Sequence, residues 1–548
     1  MKLPLPPLPS AEELRKKIID SQIWRSMFRG GLWKDTPRDR AQHILGNVWL
    51  HLHPSRVRKH GLKWTYTFGL GGLSFFLFLV LTVTGVLLMF YYRPTVELAY
   101  RDMKDLEYAV SMGSFLRAMH RWSAHAMVLI VILHMARVFM TGSYKSPREF
   151  NWSVGVVLLT LTLLLSFTGY LLPWDQLALW AVTVGTNMGA ATPLLGAEGP
   201  FAILGRGNDV RFVLLGGKAV GANTLLRFYV LHCVALPLIA GALMIVHFWR
   251  IRKDTFSGPV IKPEQLPHDK VDTWPHLIVR EYIAALLCMV VLSAWSLWIK
   301  APLEEIANPT VTPNPSKAPW YFTGLQELLV YFDPWIAGVV LPTLIIIGLM
   351  AIPYLDPDKN RGVGSYAFKE RPFAQTFFGL GMAMWFILIA IGSFLRGPNW
   401  DIYWPWESWS VHKPPPPATW SPPLVWGALC VGAYFALGMI LPRLGKPDFD
   451  WKKALRNGAA AVVGASTVLK LAADLRWAQA GWLIFFGYLY YVLGILVPRK
   501  HLANLDKVRY AVTMMLVLLT LGVLMKMGVR LGFAIKYVLT IPQFSLNI

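Results

Sequence analysis

"MHRWSAHAMVLIVILHM", Met119 to Met135, is the stretch whose reading decides the fold. Most of it is apolar enough for the interior of a bilayer, yet it carries His120, His125 and His134. Ionisable groups at that depth are costly and are kept for function or pairing. His120 and His134 are fourteen residues apart. At 3.6 residues per turn that is nearly four turns, so the two share a helix face about 21 Å apart along the axis. His125 falls about 140° round from His120 and faces elsewhere.

A second apolar stretch repeats the device. "LHCVALPLIAGALMIVHFW" holds His232 and His247, fifteen residues apart. Four imidazoles on two antiparallel helices, in two layers, make two bis-histidine sites in a helix bundle, where cofactors are commonly housed. Two axial nitrogens with no open position suit a low-spin haem, whereas zinc would gather more ligands at one level. A single intramembrane histidine is more often a buried structural or proton-relay group, but two pairs at matching spacing weigh against that. Glycines add independent support: Gly71 and Gly85 are fourteen apart on one span, and Gly155 and Gly169 are fourteen apart on another. Glycine is tolerated in a helix where something must approach the backbone, though each alone could serve helix packing. Arg117, Arg137 and Arg227 stand near the histidines, where haem propionates would need a cation or where an interfacial anchor would sit.

The 548-residue chain is 55% hydrophobic and 15% charged, with a mean hydropathy of +0.44. A soluble protein would be about a quarter charged, and stretches of about twenty apolar residues recur, each long enough to cross a bilayer. The chain therefore reads as an all-α polytopic membrane protein. It has a four-helix haem-binding bundle, spans near 66–92, 114–140, 152–172 and 224–250, plus about six further spans. Those lie near 281–299, 336–354, 375–395, 423–442, 479–497 and 508–526. The run "AAAVVGASTVLKLAADL" is short and holds Lys470 and Asp474, so it reads equally as a span or not. The net charge of +22 gathers in loops flanking spans, which argues against a nucleic-acid partner and places the N-terminus on the cytoplasmic side of a bacterial-type inner membrane. No C-x-x-C-H occurs, so c-type haem attachment is not supported. Cys233, Cys288 and Cys430 read as buried structural residues.

"RAMHRWSAHAMVLIVILHMARVFMTGSYKSPREFNW", "TGYLLPWDQLALWAVTVGTN" and "RFYVLHCVALPLIAGALMIVHFWRIRKDTFSGP" resemble cytochrome b of quinol–cytochrome c oxidoreductases. The fifteen-residue step and "FYYRPT" are similar to the photosynthetic bf-type branch. The likeness covers about 65–400. It implies a dihaem bundle over 66–260 and a quinol-site part over 261–400; the basic segment 1–65 reads as cytoplasmic, and 401–548 is an added membrane extension without a counterpart in the short family members. It also implies a low-potential haem b on His120 and His232 near the outer face, and a high-potential haem b on His134 and His247 near the inner face. The family's outer quinol-site motif, Pro-Glu-Trp-Tyr, aligns with Ala318-Pro319-Trp320-Tyr321, so Pro319 replaces the acid. Trp320 and Tyr321 are the expected quinol contacts and Glu327 the candidate replacement proton acceptor, or else a solvated loop residue. Arg280 and Glu281 align with the family's inner quinone pair, or are a helix-start charge pair. Gly69 stands where bf-type relatives carry a haem-tethering Cys, so no covalent haem is expected. Implied partners are a Rieske-type iron–sulfur protein, a c-type cytochrome and quinone, in a dimeric multi-subunit complex. The alternatives are a dihaem membrane anchor for a periplasmic dehydrogenase or reductase, and a proton-coupled transporter.

Overall fold

The computed structural model describes residues 10–21, 24, 35–47, 50–205, 207–259, 269–356, 358, 361–414, 418–473 and 475–539. The middle of the basic loop, 260–268, and Asp474 lie outside them. The described chain is built from helices. Its strands, Arg56–Arg58 and Lys270–Asp272, form one short antiparallel pair with Val57 opposite Val271. Among the described residues, ten helices are long and apolar enough to cross a membrane, and the protein is an all-α integral membrane protein.

The first four spans are α1 (Leu70–Met89), α3 (Gly113–Met140), α4 (Glu149–Tyr170) and α6 (Ala222–Asp254). Between them lie α2 (Ala99–Tyr108) and α5 (Gln176–Ala190). The fifth span, α7, runs Thr273–Trp298. After it come the loop helix α8 (Trp320–Tyr331) and the spans α9 (Trp335–Leu355) and α10 (Pro372–Leu395). We call the end holding α2, α5 and α8 the upper face, and the opposite end the lower.

Within α6 a π-turn, Leu231–Ala235, closes where Leu236 N–H bonds Leu231 C=O. Such a turn inserts one residue into an α-helix. It absorbs the extra residue between His232 and His247, so a fifteen-residue step acts as the fourteen-residue step of α3.

Charged residues tie the ends together. At the upper face Asp175 caps α5 by accepting from Ala178 N–H at 2.9 Å and takes Glu304 N–H at 3.2 Å. Gln176 accepts from Asn308 N–H at 2.7 Å. "PWDQ" is thus a staple between two loops. At the lower face the strand pair draws residues 50–63 beneath the bundle.

The C-terminal part holds α11 (Leu424–Arg443), α12 (Trp451–Ala472), α13 (Trp477–Leu502) and α14 (Lys507–Phe533). The composition of α12 leaves its role open; its packing does not. Tyr491 OH donates to Ala454 C=O at 3.3 Å, and a Cβ on Gly487 would meet Val462 at 3.1 Å. So α12 lies antiparallel along α13. Arg443 at the end of α11 bonds Leu505 C=O at 3.1 Å on the lower side. Trp420, before α11, pairs with Ile535 beyond α14 on the upper side. Between Arg443 and Trp477 the chain returns from the lower side to the upper, and α12 runs that way beside α13. Against α8–α10 the extension buries Val523 with Leu328, Leu341 and Leu388. Cys430, expected to be buried, is exposed on α11, while Cys233 and Cys288 are half-buried. An apolar helix surface turned to lipid carries such residues as readily as a core does.

Candidate functional site: two histidine pairs in one cavity

A continuous cavity of about 1490 Å³ runs through the first bundle and reaches α7 and Tyr321. His120, His134, His232 and His247 all line it, as do Gly71, Gly85, Gly155, Gly169, Arg117 and Arg137. The structure brings His120 and His232 together, their rings 6.2 Å apart, centre to centre, at 82°. Two nitrogen–metal bonds of about 2 Å, with each ring nitrogen about 1 Å from its ring centre, bring two axial imidazoles to nearly that separation.

The glycines do a more specific job than leaving room for a macrocycle. Each faces one histidine. A Cβ on Gly85 would meet His120 Cε1 at 3.2 Å, and one on Gly71 would meet His134 Cε1 at 3.2 Å. On Gly169 it would fall 2.5 Å from His232 Cε1, and on Gly155 3.7 Å from His247 Cε1. The helix opposite is carved to seat the imidazole.

Residues beside two of those glycines orient the upper rings. Thr84 Oγ1 donates to Val80 C=O at 2.7 Å, which leaves its lone pair to accept from His120 Nδ1 at 2.9 Å. Thr168 Oγ1 donates to Leu164 C=O at 2.9 Å and lies 3.1 Å from His232 Nδ1. Nδ1 is thereby occupied and Nε2 remains for a metal, the usual outer-shell arrangement of a ligating histidine. At the lower pair the Nδ1 atom of His134 is buried without a partner, whereas His247 lies beside the Asn151 backbone. Buried polar atoms are rarely left so. These residues fit haem.

The two arginines differ. Arg117 donates to Ala301 C=O at 2.8 Å and stands 3.4 Å from Glu107, so it clamps the loop after α7. Arg137 has a buried Nε without a partner and lies over the Tyr66 ring at 5.7 Å. It is a cation free to meet a carboxylate in the cavity. Arg227 instead donates to Val213 C=O.

Of the expected quinol-site residues, Tyr321 lines the cavity. Burial pushes its phenol up to about 12, so it stays a donor. Trp320 reaches the site through His125, donating from Nε1 to Nδ1 at 3.1 Å. The reading of Glu327 as a proton acceptor facing the quinol does not match its position. It is 0% exposed and outside the cavity wall. Arg396 grips it bidentately at 2.6 and 2.9 Å, and Tyr331 and Trp400 donate to it at 2.9 and 3.1 Å. A carboxylate so satisfied locks α8 to the end of α10. At the lower end Arg280 and Glu281 both line the cavity, in the second turn of α7. Sequence reasoning missed Glu281's partner: His53 Nε2 lies 3.0 Å from Glu281 Oε2.

Paired histidines on antiparallel helices, seated against glycines in a membrane bundle, define a helical cavity whose lining fits haem. Residues 58–255 match the family model "Cytochrome b/b6/petB", and residues 306–403 match "Cytochrome b(C-terminal)/b6/petD". The chain is 44% identical over 191 residues to cytochrome b6 of Euglena gracilis, covering 84% of that protein and 35% of this one. Cytochrome b6 of Porphyra purpurea matches to the same extent. A solved structure titled "Hyperthermophilic respiratory Complex III" superposes with a TM-score of 0.53 at 27% identity, over 60% of this chain and 84% of that one. The chain belongs to the cytochrome b/b6 family, with the b6-like and C-terminal parts joined in one polypeptide. It is a cytochrome b subunit of a quinol–cytochrome c oxidoreductase, and the family implies that it binds haem b.

Proposed function

We propose that the chain carries two haem b, one between His120 and His232 and one between His134 and His247, and couples quinol oxidation at the upper face to quinone reduction at the lower. The observation that carries this is the pair of histidine layers, each seated against its own glycines, in one cavity open to both ends. Bound haem supplies one-electron transfer along the bundle axis; the protein supplies position and protons. Thr84 and Thr168 fix the upper ring tautomer with Nε2 toward the cofactor. Arg137 would neutralise a propionate at the lower site.

The upper end would take quinol beside Tyr321. The lower end would bind quinone near Arg280 and Glu281, where His53–Glu281 offers a proton within hydrogen-bond reach, as general acid catalysis requires. By this reading the upper face is the outer one and residues 50–63 are cytoplasmic, in a bacterial-type inner membrane. The partners are a Rieske-type iron–sulfur protein and a c-type cytochrome, in a dimeric multi-subunit complex. The test is a reduced-minus-oxidised spectrum and haem assay of the purified complex, with quinol:cytochrome c turnover. Two b haems per chain with quinol-dependent turnover are expected; a chain without b haem would refute the reading.

A further inference from the structure

His125 is the histidine of the opening stretch that neither pair uses. It lies on α3 and lines the upper end of the cavity with Arg121, Tyr170 and Tyr321. Both ring nitrogens face donors: Arg121 Nε–H points at Nε2 at 3.0 Å, and Trp320 Nε1–H points at Nδ1 at 3.1 Å. A guanidinium and an indole have no acceptor to offer. A neutral imidazole has one lone pair and one N–H, and a protonated one has no lone pair at all. In every state at least one imidazole N–H meets another donor. The cluster is one acceptor short, and a buried donor without a partner is costly.

Position decides which side carries the shortage. Trp320 is packed against the Val128, Ile132 and Tyr321 cluster and is not part of the cavity wall, so its indole keeps the Nδ1 lone pair. The imidazole N–H is then on Nε2, facing Arg121, and both of these groups line the cavity. Arg121 lies over the Tyr170 ring at 5.2 Å, and among the described residues no carboxylate pairs with it. An oxygen entering from the cavity can accept from both. We propose that Arg121 and His125 form a two-donor seat for an oxygen that only accepts hydrogen bonds, and that its occupant is a carbonyl of the oxidised quinone. The guanidinium charge strengthens the bond to that oxygen. A quinol hydroxyl brings a hydrogen of its own, for which the seat has no acceptor, and an unpaired donor is what a site uses to reject a ligand. The upper end therefore holds product quinone in preference to quinol, and an oxidised quinone pool slows quinol oxidation there. This rests on the upper end being the quinol-oxidation end.

The test uses the full complex with decylubiquinol as donor and ferricytochrome c as acceptor, with b haem content measured alongside. It reads the Ki of added decylubiquinone against decylubiquinol. In the wild type the inhibition is expected to be competitive, with Ki below the KM for quinol. His125→Leu removes the N–H; it is expected to keep both haems and to raise the ratio of Ki to KM about tenfold, the upper range for one net hydrogen bond. Arg121→Gln brings an acceptor of its own for the His125 N–H and removes the charge, and is expected to raise the ratio at least as much. Should the Leu variant lose haem, the Gln variant decides. Non-competitive inhibition, a wild-type Ki above KM, or a variant with haem intact whose ratio stays within threefold of wild type overturns the proposal and leaves the functional reading standing. A wild-type complex that holds both haems but does not oxidise quinol overturns the functional reading and this proposal together.

Discussion

At the upper end of the cavity, Thr84 and Thr168 lie within hydrogen-bond reach of the Nδ1 atoms of His120 and His232, and Arg117 is committed to Glu107 and the Ala301 carbonyl. At the lower end, the same atom of His134 has no partner, and Arg137 keeps an unpaired Nε. The two ends share a plan and differ in finish. The upper rings are oriented by the protein before any cofactor arrives. The lower site holds unmet polar groups, so a cofactor would do more of the ordering there.

The largest effect that could break this comparison lies in the glycines. Gly169→Ala places a methyl 2.5 Å from His232 Cε1, whereas Gly155→Ala places one at an ordinary 3.7 Å from His247. The first is expected to displace the ring and cost the upper haem; the second is expected to keep both. Haem b per chain should fall from two toward one in Gly169→Ala alone. Equal losses would mean that the glycines serve general packing.

Next comes the threonine shell. Thr168→Val removes the hydroxyl beside His232 Nδ1 without changing side-chain shape. The Leu165 carbonyl, 3.0 Å from the same atom, remains as an acceptor, so the loss should sit near the low end of the 10–100-fold typical of outer-shell changes, and haem should leave the upper site preferentially in a competition with apomyoglobin. The arginines should then divide. Arg117→Gln leaves the Ala301 carbonyl poorly satisfied, at about 1–3 kcal/mol, and should lower the melting temperature of the complex with little change in either haem's spectrum. Arg137→Gln should leave melting nearly unchanged but shift the lower haem's midpoint negative by roughly 40 mV, the one-electron equivalent of about 1 kcal/mol for a partly screened charge. Redox titration resolves the two.

Much of this site was legible in the sequence because helices convert spacing into geometry. The fourteen-residue steps of the histidines and glycines placed both layers, and the π-turn at Leu231–Ala235 accounts for the one step that was out by a residue. The threonine signal was present too: Thr precedes Gly at both upper positions, Thr84-Gly85 and Thr168-Gly169, whereas Leu70 and Val154 precede the lower glycines. Glu327 misled because its partner, Arg396, is 69 residues away, and local pattern carries no record of such a pair. The helix α12 was ambiguous for a related reason: composition describes one helix, while its course is set by where its neighbours end. His53 was hidden because a two-stranded pairing between residues far apart in the chain brings it to Glu281.

That last pair supports the smallest prediction, and it belongs to the lower end alone. Burial would pull the His53 imidazole down, but the bond and charge of Glu281 outweigh burial and leave it above its usual 6.5. A raised value means the docked segment holds the proton more tightly than an undocked one. The stabilisation is then complete below about pH 6.5 and fades as pH rises through the raised value. Both side chains are partly exposed, so the effect is no more than about 1 kcal/mol. Hydrogen exchange of residues 50–63, corrected for its intrinsic pH dependence, should quicken a few-fold between pH 6 and pH 8, while the amides of α8 keep their protection. Glu281→Gln should remove the dependence. If it persists in that variant, the lower end is gated by something other than the His53 contact, and the proton-supplying role given to the pair fails with it.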